Sequence, residues 1–255
     1  MQYDAIILAG GENTSELKKI APYDNEALII IDKYPMIHYV YQALRNSSFI
    51  KNIVICGPKE ALRNIFIKEE NLLFAESGEN AIESFSNSVK LLENHSITEK
   101  ILVMPTDIPF ITTEAIDDFI NRCEKSRADF YYSITTKEVN EKVFPGVTRT
   151  YVKLKDGTFT GGNLFLVREK VIPRCLRVGV ELIERRKNPL AMAKLFGFGL
   201  VWSFITKQLT ISKAEKRFYE VIGIKGKAII SPYAEVGVDV DKPSDLELAQ
   251  NYLKG

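Results

Sequence analysis

The sequence predicts an α/β fold: a three-layer, doubly wound, mostly parallel sheet with a β-hairpin region and a late helical insert. Two observations carry this. Short apolar runs recur and end on glycine or on an acid: Ile6-Ile7-Leu8 before Gly10-Gly11, Ile53–Cys56 before Gly57, and Ile101–Met104 before Asp107. Unbroken apolar runs of that length suit strands buried on both faces, as in a parallel sheet. Between them lie segments with apolar residues at helical spacing, and strand–glycine–helix alternation argues for right-handed crossovers.

Taken in order, residues 4–9 give the first strand and residues 10–27 a long polar loop, a length that in a compact domain is usually functional. Leu28–Ile31 reads as a short strand ending at Asp32-Lys33-Tyr34-Pro35. A helix follows to about Asn46, with Ile37, Val40, Tyr41 and Leu44 on one face. Pro35 sits at its start, where proline is tolerated. Asn52–Cys56 and Leu72–Ala75 are further strands, and the helix after Gly78 carries Ile82, Phe85, Val89 and Leu92 on one face. Residues 100–105 form a strand. Thr112 or Thr113 caps the next helix, beside Glu114. Asp129–Thr136 is a strand and Glu138–Gly146 a polar, mobile stretch. Arg149–Leu154 alternates and turns at Asp156-Gly157, a hairpin signal. Gly161-Gly162-Asn163 then reads as a turn before the strand Leu164–Val167.

Residues 169–222 read as a helical insert within a single domain spanning 1–255. The charged run through Arg185-Arg186-Lys187 is a solvated face. Leu195–Thr206 carries no charge, with Lys194 and Lys207 on either side. It is too short to span a bilayer and apolar all round, so burial is expected. A second small core, a homodimer interface, an apolar acceptor pocket or a membrane surface could each supply it. An apolar lid near the acceptor site, including Trp202, is the most specific of these expectations.

Composition narrows the function classes. The chain has 255 residues, 45% hydrophobic and 26% charged, with a net charge of +1. That balance supplies no strong field for a nucleic-acid polymer or an anionic membrane. Cys56, Cys123 and Cys175 stand far apart, which fits a reducing compartment, and a cytoplasmic location is expected. His38 and His95 cannot by themselves make a zinc site.

Four stretches carry chemistry. Gly10-Gly11 ends the first strand, where open α/β sheets bind ligands and where successive backbone N–H groups can cradle phosphate. It matches neither the dinucleotide glycine pattern nor a P-loop. Asp107 follows the Ile101–Met104 strand between Pro105 and Pro109. With the helix cap supplied by Thr112 or Thr113, its carboxylate is free for other work. Mg²⁺ takes one or two carboxylates plus phosphate oxygens in such sites. Asp239 and Asp241 alternate onto one side of an extended segment, where they can share a cation. Gly161, Gly162 and Asn163 offer close backbone approach and an amide donor and acceptor. Arg149 and Lys153 are cations within reach of an acceptor phosphate, although a solvated strand face explains them equally.

Leu8-Ala9-Gly10-Gly11, the polar loop after it, Glu26-Ala27-Leu28-Ile29 and Pro35-Met36-Ile37-His38-Tyr39-Val40 resemble the MobA-like nucleotidyltransferases. These include molybdenum cofactor guanylyltransferase and the sugar-phosphate and isoprenoid-precursor pyrophosphorylases. The closing Asp239-Val240-Asp241-Lys242-Pro243-Ser244-Asp245-Leu246 resembles the family's usual end. The resemblance implies a nucleotide-diphospho-sugar transferase-like fold. It also implies an enzyme that moves a nucleoside monophosphate from a triphosphate, CTP or GTP, to a phosphorylated small-molecule acceptor and releases pyrophosphate. The residues it implies for the nucleotide are Leu8, Ala9, Gly10, Gly11, Glu12, Glu26, Gly57, Gly78 and Ser88. Lys18, Lys19 and Asp107 would be catalytic, and Asp107, Asp239 and Asp241 would hold Mg²⁺. Arg149, Gly161, Gly162 and Asn163 would meet the acceptor.

The chain departs from that pattern. Glu12 replaces a third glycine, the expected arginine is missing, and Asn25-Glu26 replaces Pro-Lys. A carboxylate at Glu26 repels triphosphate unless a cation offsets it. A nucleotide- or sugar-nucleotide-binding protein without turnover is therefore the alternative, together with a glycosyltransferase of similar architecture.

Overall fold

The computed structural model describes residues 1–69, 72–95, 97–185 and 195–254. In chain order the elements are β1 (Tyr3–Leu8), α1 (Ser15–Lys18), β2 (Ile30–Ile31), β3 (Tyr34–Pro35), α2 (Met36–Arg45), β4 (Ile50–Gly57), α3 (Lys59–Ile65), β5 (Leu72–Glu76), α4 (Ala81–Glu93) and β6 (Lys100–Pro105). There follow α5 (Thr113–Glu124), β7 (Phe130–Thr136), α6 (Lys137–Val143), β8 (Val152–Leu154), β9 (Gly157–Arg168), α7 (Ile172–Arg185), α8 (Phe198–Ile205), α9 (Ile211–Ile222), β10 (Gly226–Ser231) and α10 (Pro243–Tyr252).

The central sheet runs β10-β7-β9-β6-β1-β4-β5, with β8 paired to β9. Every neighbouring pair on that path is parallel except those made by β9, which lies antiparallel to both β6 and β7. The apolar runs of β1 and β6 are buried on both faces because alternate residues enter different cores. Ala5, Ile7, Leu102 and Met104 meet α2 and α5 on one side. Ile6, Ile101 and Val103 meet α4 and the start of α7 on the other. A third core, with Leu17, Phe110, Phe144, Val238 and Leu246, joins the loops at the carboxyl ends of β1 and β6 to α10.

The helices start where the sequence places their caps. Asn80 Oδ1 accepts from the backbone N–H of Ile82 and Glu83, 3.0 Å each, at the head of α4. Thr112 Oγ1 accepts from Ala115 N–H at 3.2 Å and opens α5, which leaves the Asp107 carboxylate out of capping.

Several expectations are corrected. Leu28–Ile31 is not a sheet strand. Asn25 Oδ1 accepts from Ala27 N–H and turns residues 26–28 into a 3-10 helix. Ile30–Ile31 then pairs only with Tyr34–Pro35, across a turn in which Asp32 has φ 55°. The stretch 138–146 contains the ordered helix α6, capped by Thr136 Oγ1. Helix α3 is too short for a periodic signal to reveal. Gly161-Gly162-Asn163 is no turn but lies inside β9, at a register shift against β7.

Within the chain, the uncharged stretch is likewise not packed into a second core. In α8, Trp202 is 68% exposed and Ile205 64%, because α8 lies outside the sheet cores while α7 and α9 supply the packed faces. Among the described residues no helix is long and apolar enough to cross a membrane. Of the charged run before Asn188-Pro189, residues 186 and 187 lie outside the described residues, as does Lys194.

Candidate active site

The carboxyl ends of β1 and β6 bring the sequence motifs together. Thr106 N–H donates to Leu8 O at 3.1 Å, so the Gly10-Gly11 turn and the Asp107 turn leave the sheet side by side. Val240 N–H donates to Asp107 O at 2.8 Å and fastens the closing acidic segment there. One carboxylate oxygen from each of Asp107, Asp239 and Asp241 then lies within 4.8 Å of the others. Residues from the middle and the end of the chain thus share one spot, because a strand end and a late extended segment meet.

The loop after β1 is held by its own amides. Asn25 Nδ2 donates to Ala9 O at 2.9 Å, and buried Asn13 donates to the carbonyls of Ala21 and Tyr23. Gly10 and Gly11 are exposed, and a Cβ at Gly11 would stand 2.6 Å from Glu26 Oε2. Glu26 therefore lies directly against the phosphate-cradle candidate. Glu12 is exposed and bridges to Asn25. Gly57 packs on the Ala9 carbonyl, where a Cβ would come within 2.6 Å, so glycine there shapes the loop from behind.

Electrostatics single out Asp107. Its Oδ1 is buried with no hydrogen-bond partner among the described residues. Burial, then the nearby Asp239, Glu26 and Asp241, pushes its carboxyl well above the usual carboxylate range. Burial followed by Asp239 raises Asp241 to about 6. Burial followed by Asp241 and Asp239 raises Glu26 to about 7. A buried carboxylate oxygen with nothing to accept from costs free energy that a bound cation would recover. The oxygen-only donor set suits a hard divalent ion such as Mg²⁺, so the residues fit that group.

Beside the acids lies a polar pocket of ≈ 320 Å³ walled by Arg149, Gly161, Gly162, Asn163, Asp239 and Asp241. The four acceptor candidates therefore converge. Arg149 is already engaged: its guanidinium pairs with the Asp239 carboxylate and donates to the Asp239 carbonyl at 2.8 Å. Asn163 Nδ2 donates to Val236 O at 3.3 Å. Asp245, buried at the start of α10, accepts from Asp241 N–H at 3.2 Å and steadies the acidic segment.

Some predicted residues stand elsewhere. Ser88 is fully buried and gives its hydroxyl proton to Ser84 O within α4, so it presents nothing to a ligand. Ser84 instead faces the glycine loop, accepting from Gly78 N–H at 2.9 Å. Lys18 is exposed and paired with Asp24 at 2.5 Å, and Lys19 is exposed. Tyr132, Thr148 and Thr150 also wall the polar pocket. No motif announced them, and Tyr132 arrives only because β7 pairs with β9.

The glycines of β9 are packing requirements. A Cβ at Gly162 would overlap Ser133 Oγ and stand 2.9 Å from the Ser133 carbonyl. Gly162→Val is expected to cost about 1–3 kcal/mol through overpacking. Thermal denaturation should register this as a fall of roughly 2–12 °C, and an unchanged midpoint would contradict the crowding.

Comparisons with known proteins bear on the family and the fold. The family model of the MobA-like NTP transferase domain matches residues 5–188. A hypothetical transferase from Thermus thermophilus has 30% sequence identity and a TM-score of 0.83, covering 96% of this chain and 100% of its own. A 4-diphosphocytidyl-2C-methyl-D-erythritol synthase from Anaerococcus prevotii has 14% identity and a TM-score of 0.62 over 99% of this chain and 96% of its own. A CMP:2-keto-3-deoxy-manno-octonic acid synthetase complexed with CTP has 12% identity and a TM-score of 0.60, over 98% of each chain. At those identities the last two speak for the fold alone. No curated protein matches the sequence. With most of its length, residues 5–188, under the family's own pattern, the chain belongs to the MobA-like NTP transferases.

Proposed function

We propose that the chain transfers a nucleoside monophosphate from a triphosphate, CTP or GTP, to a phosphorylated small-molecule acceptor, with Mg²⁺ as cofactor. The observation that carries this reading is the buried Asp107 Oδ1, without a hydrogen-bond partner among the described residues, on a carboxyl group that gathers with Asp239 and Asp241, which also wall the polar pocket. The octonic acid synthetase of similar fold is complexed with CTP, which supports a nucleotide on this scaffold.

In this reading an acceptor phosphate oxygen attacks the α-phosphorus in line. A new O–P bond forms while the bridging P–O bond to the β-phosphate breaks, and its electron pair leaves with pyrophosphate. Positioning and charge neutralisation carry such a reaction. Leu8 and Ala9 set the exit of β1, and the N–H groups of Gly10, Gly11 and Glu12 face the triphosphate, with Gly57 and Gly78 shaping the walls. Lys18 and Lys19 lie on the same loop and offset pyrophosphate charge when they turn inward. Asp107, Asp239 and Asp241 would hold Mg²⁺, which supplies charge neutralisation at the phosphates. Arg149 and Asn163, with the backbone of Gly161 and Gly162, would orient the acceptor.

The test is exchange of labelled pyrophosphate into each of the four NTPs, with Mg²⁺ and pooled phosphorylated metabolites. Acceptor-dependent label in one NTP is expected. Release of a free nucleoside diphosphate instead would point to glycosyl transfer and overturn the reading.

A further inference from the structure

On the sheet face that packs against α4, a second cavity of ≈ 350 Å³ lies under α7 and α9. Its described walls include Leu8, Ile82, Phe85, Phe165, Val178 and Phe218, and its lining is almost wholly apolar. Protein interiors leave few voids larger than a water molecule, whereas pockets for small ligands run about 300–1,000 Å³. A cavity of this size and lining has no use for a sugar, a nucleotide or a phosphate. Its chemistry fits hydrocarbon, since large apolar cavities stay dry and take apolar guests.

The cavity lies next to the polar pocket along β9. Residues along β9 alternate in exposure: Gly161, Asn163 and Phe165 form the open side, while Thr160, Gly162, Leu164 and Leu166 are buried. Gly161 and Asn163 wall the polar pocket, and Phe165 walls the apolar cavity. Two residues along a strand is about 7 Å, so the two sites adjoin. Tyr132 joins them from β7. It walls the polar pocket, and its ring stacks on Phe165 with centroids 5.0 Å apart and planes 16° apart. Phe130 continues the aromatic run to Phe218 at 6.2 Å. Leu8, which immediately precedes Ala9 and the glycine turn, also lines the cavity.

We propose that the acceptor is an amphiphilic phosphate, whose hydrocarbon tail lies in this cavity while its phosphate sits in the pocket of Arg149 and Asn163. This rests on the nucleotidyltransferase reading and names the acceptor class for it. It also gives the insert a purpose, since α7 and α9 roof the tail.

The experiment is calorimetric titration of the intact protein with straight-chain alkyl phosphates of four to ten carbons, each below its micelle concentration, beside inorganic phosphate. Affinity is expected to rise about fourfold per added methylene, and Val178→Trp, which fills the cavity, should flatten that series. Arg149→Ala should weaken every member by a similar factor. Pyrophosphate exchange with the same alkyl phosphates as acceptors is expected to follow the binding series. Chain-length-independent binding overturns the proposal, and exchange supported by short polar phosphates would leave the nucleotidyltransferase reading intact. A rising series that Arg149→Ala does not touch would also overturn it, because the cavity would then bind hydrocarbon apart from the acceptor site. A rising, Arg149-dependent series with no pyrophosphate exchange under any acceptor would uphold the binding class and sink the nucleotidyltransferase reading instead.

Discussion

Asp107→Asn is expected to lower turnover by about 10³-fold or more and, in metal-free buffer, to raise stability. The first effect follows from charge. Neutralising phosphates at an Asp-held cation is worth several kcal/mol, and about 4 kcal/mol is a factor of 10³ in rate. The second follows from the geometry. Asp107 Oδ1 is buried without a partner among the described residues, and the carboxyl group feels Asp239, Glu26 and Asp241 nearby. A neutral amide removes the repulsion and the cost of burying a charge, so at a pH high enough to ionise Asp107 a gain of about 1–2 kcal/mol is expected, or roughly 2–8 °C in midpoint. Mg²⁺ or Mn²⁺ should raise the midpoint of the wild type and leave that of the variant unmoved, because a ligand stabilises only the state that binds it. A variant that melts lower yet still responds to Mg²⁺ would show that Asp107 braces the fold rather than the cation.

Glu26→Lys is expected to tighten NTP binding measured without divalent metal by roughly 10- to 10³-fold. The Glu26 carboxylate lies against Gly11, beside Asp239 and Asp241. At a surface-like dielectric a like charge about 4 Å away costs on the order of 4 kcal/mol, which sets the upper end of that range. Glu26→Gln removes the charge without adding one and should lie between the wild type and Glu26→Lys. Equilibrium titration with a fluorescent NTP reads both. If Glu26→Gln instead weakens NTP binding once Mg²⁺ is present, Glu26 helps to hold a cation and is an asset to the site.

Much of the architecture is legible along the chain because its signals are local. An unbroken apolar run must be buried on both faces, so β1, β4 and β6 announce a parallel sheet. Glycine or an acid at the end of such a run marks the edge where ligands bind. Asp107 and the Asp239–Asp241 pair stand out because threonine caps and strand alternation leave their carboxylates with no local duty. The misreadings share the opposite cause. Gly161-Gly162 reads as a turn, since a double glycine in sequence does not disclose that Tyr132 and Ser133 crowd it on a neighbouring strand. Ser88 reads as available until α4 packs it inward. Leu195–Thr206 reads as a candidate second core because composition records how apolar a segment is, not whether the rest of the chain covers it.

What the sequence by itself determined was the alternation of the main strands and helices, the glycine loop after β1 and the acids. Each depends on residues within a few positions of one another. Only the tertiary structure decided that three acids share one point, that Glu26 leans on the glycine loop, that Arg149 engages Asp239, and that an apolar cavity lies next to the polar pocket. Those relations join residues far apart along the chain, and they arise from strand pairing and helix packing, which no local pattern encodes.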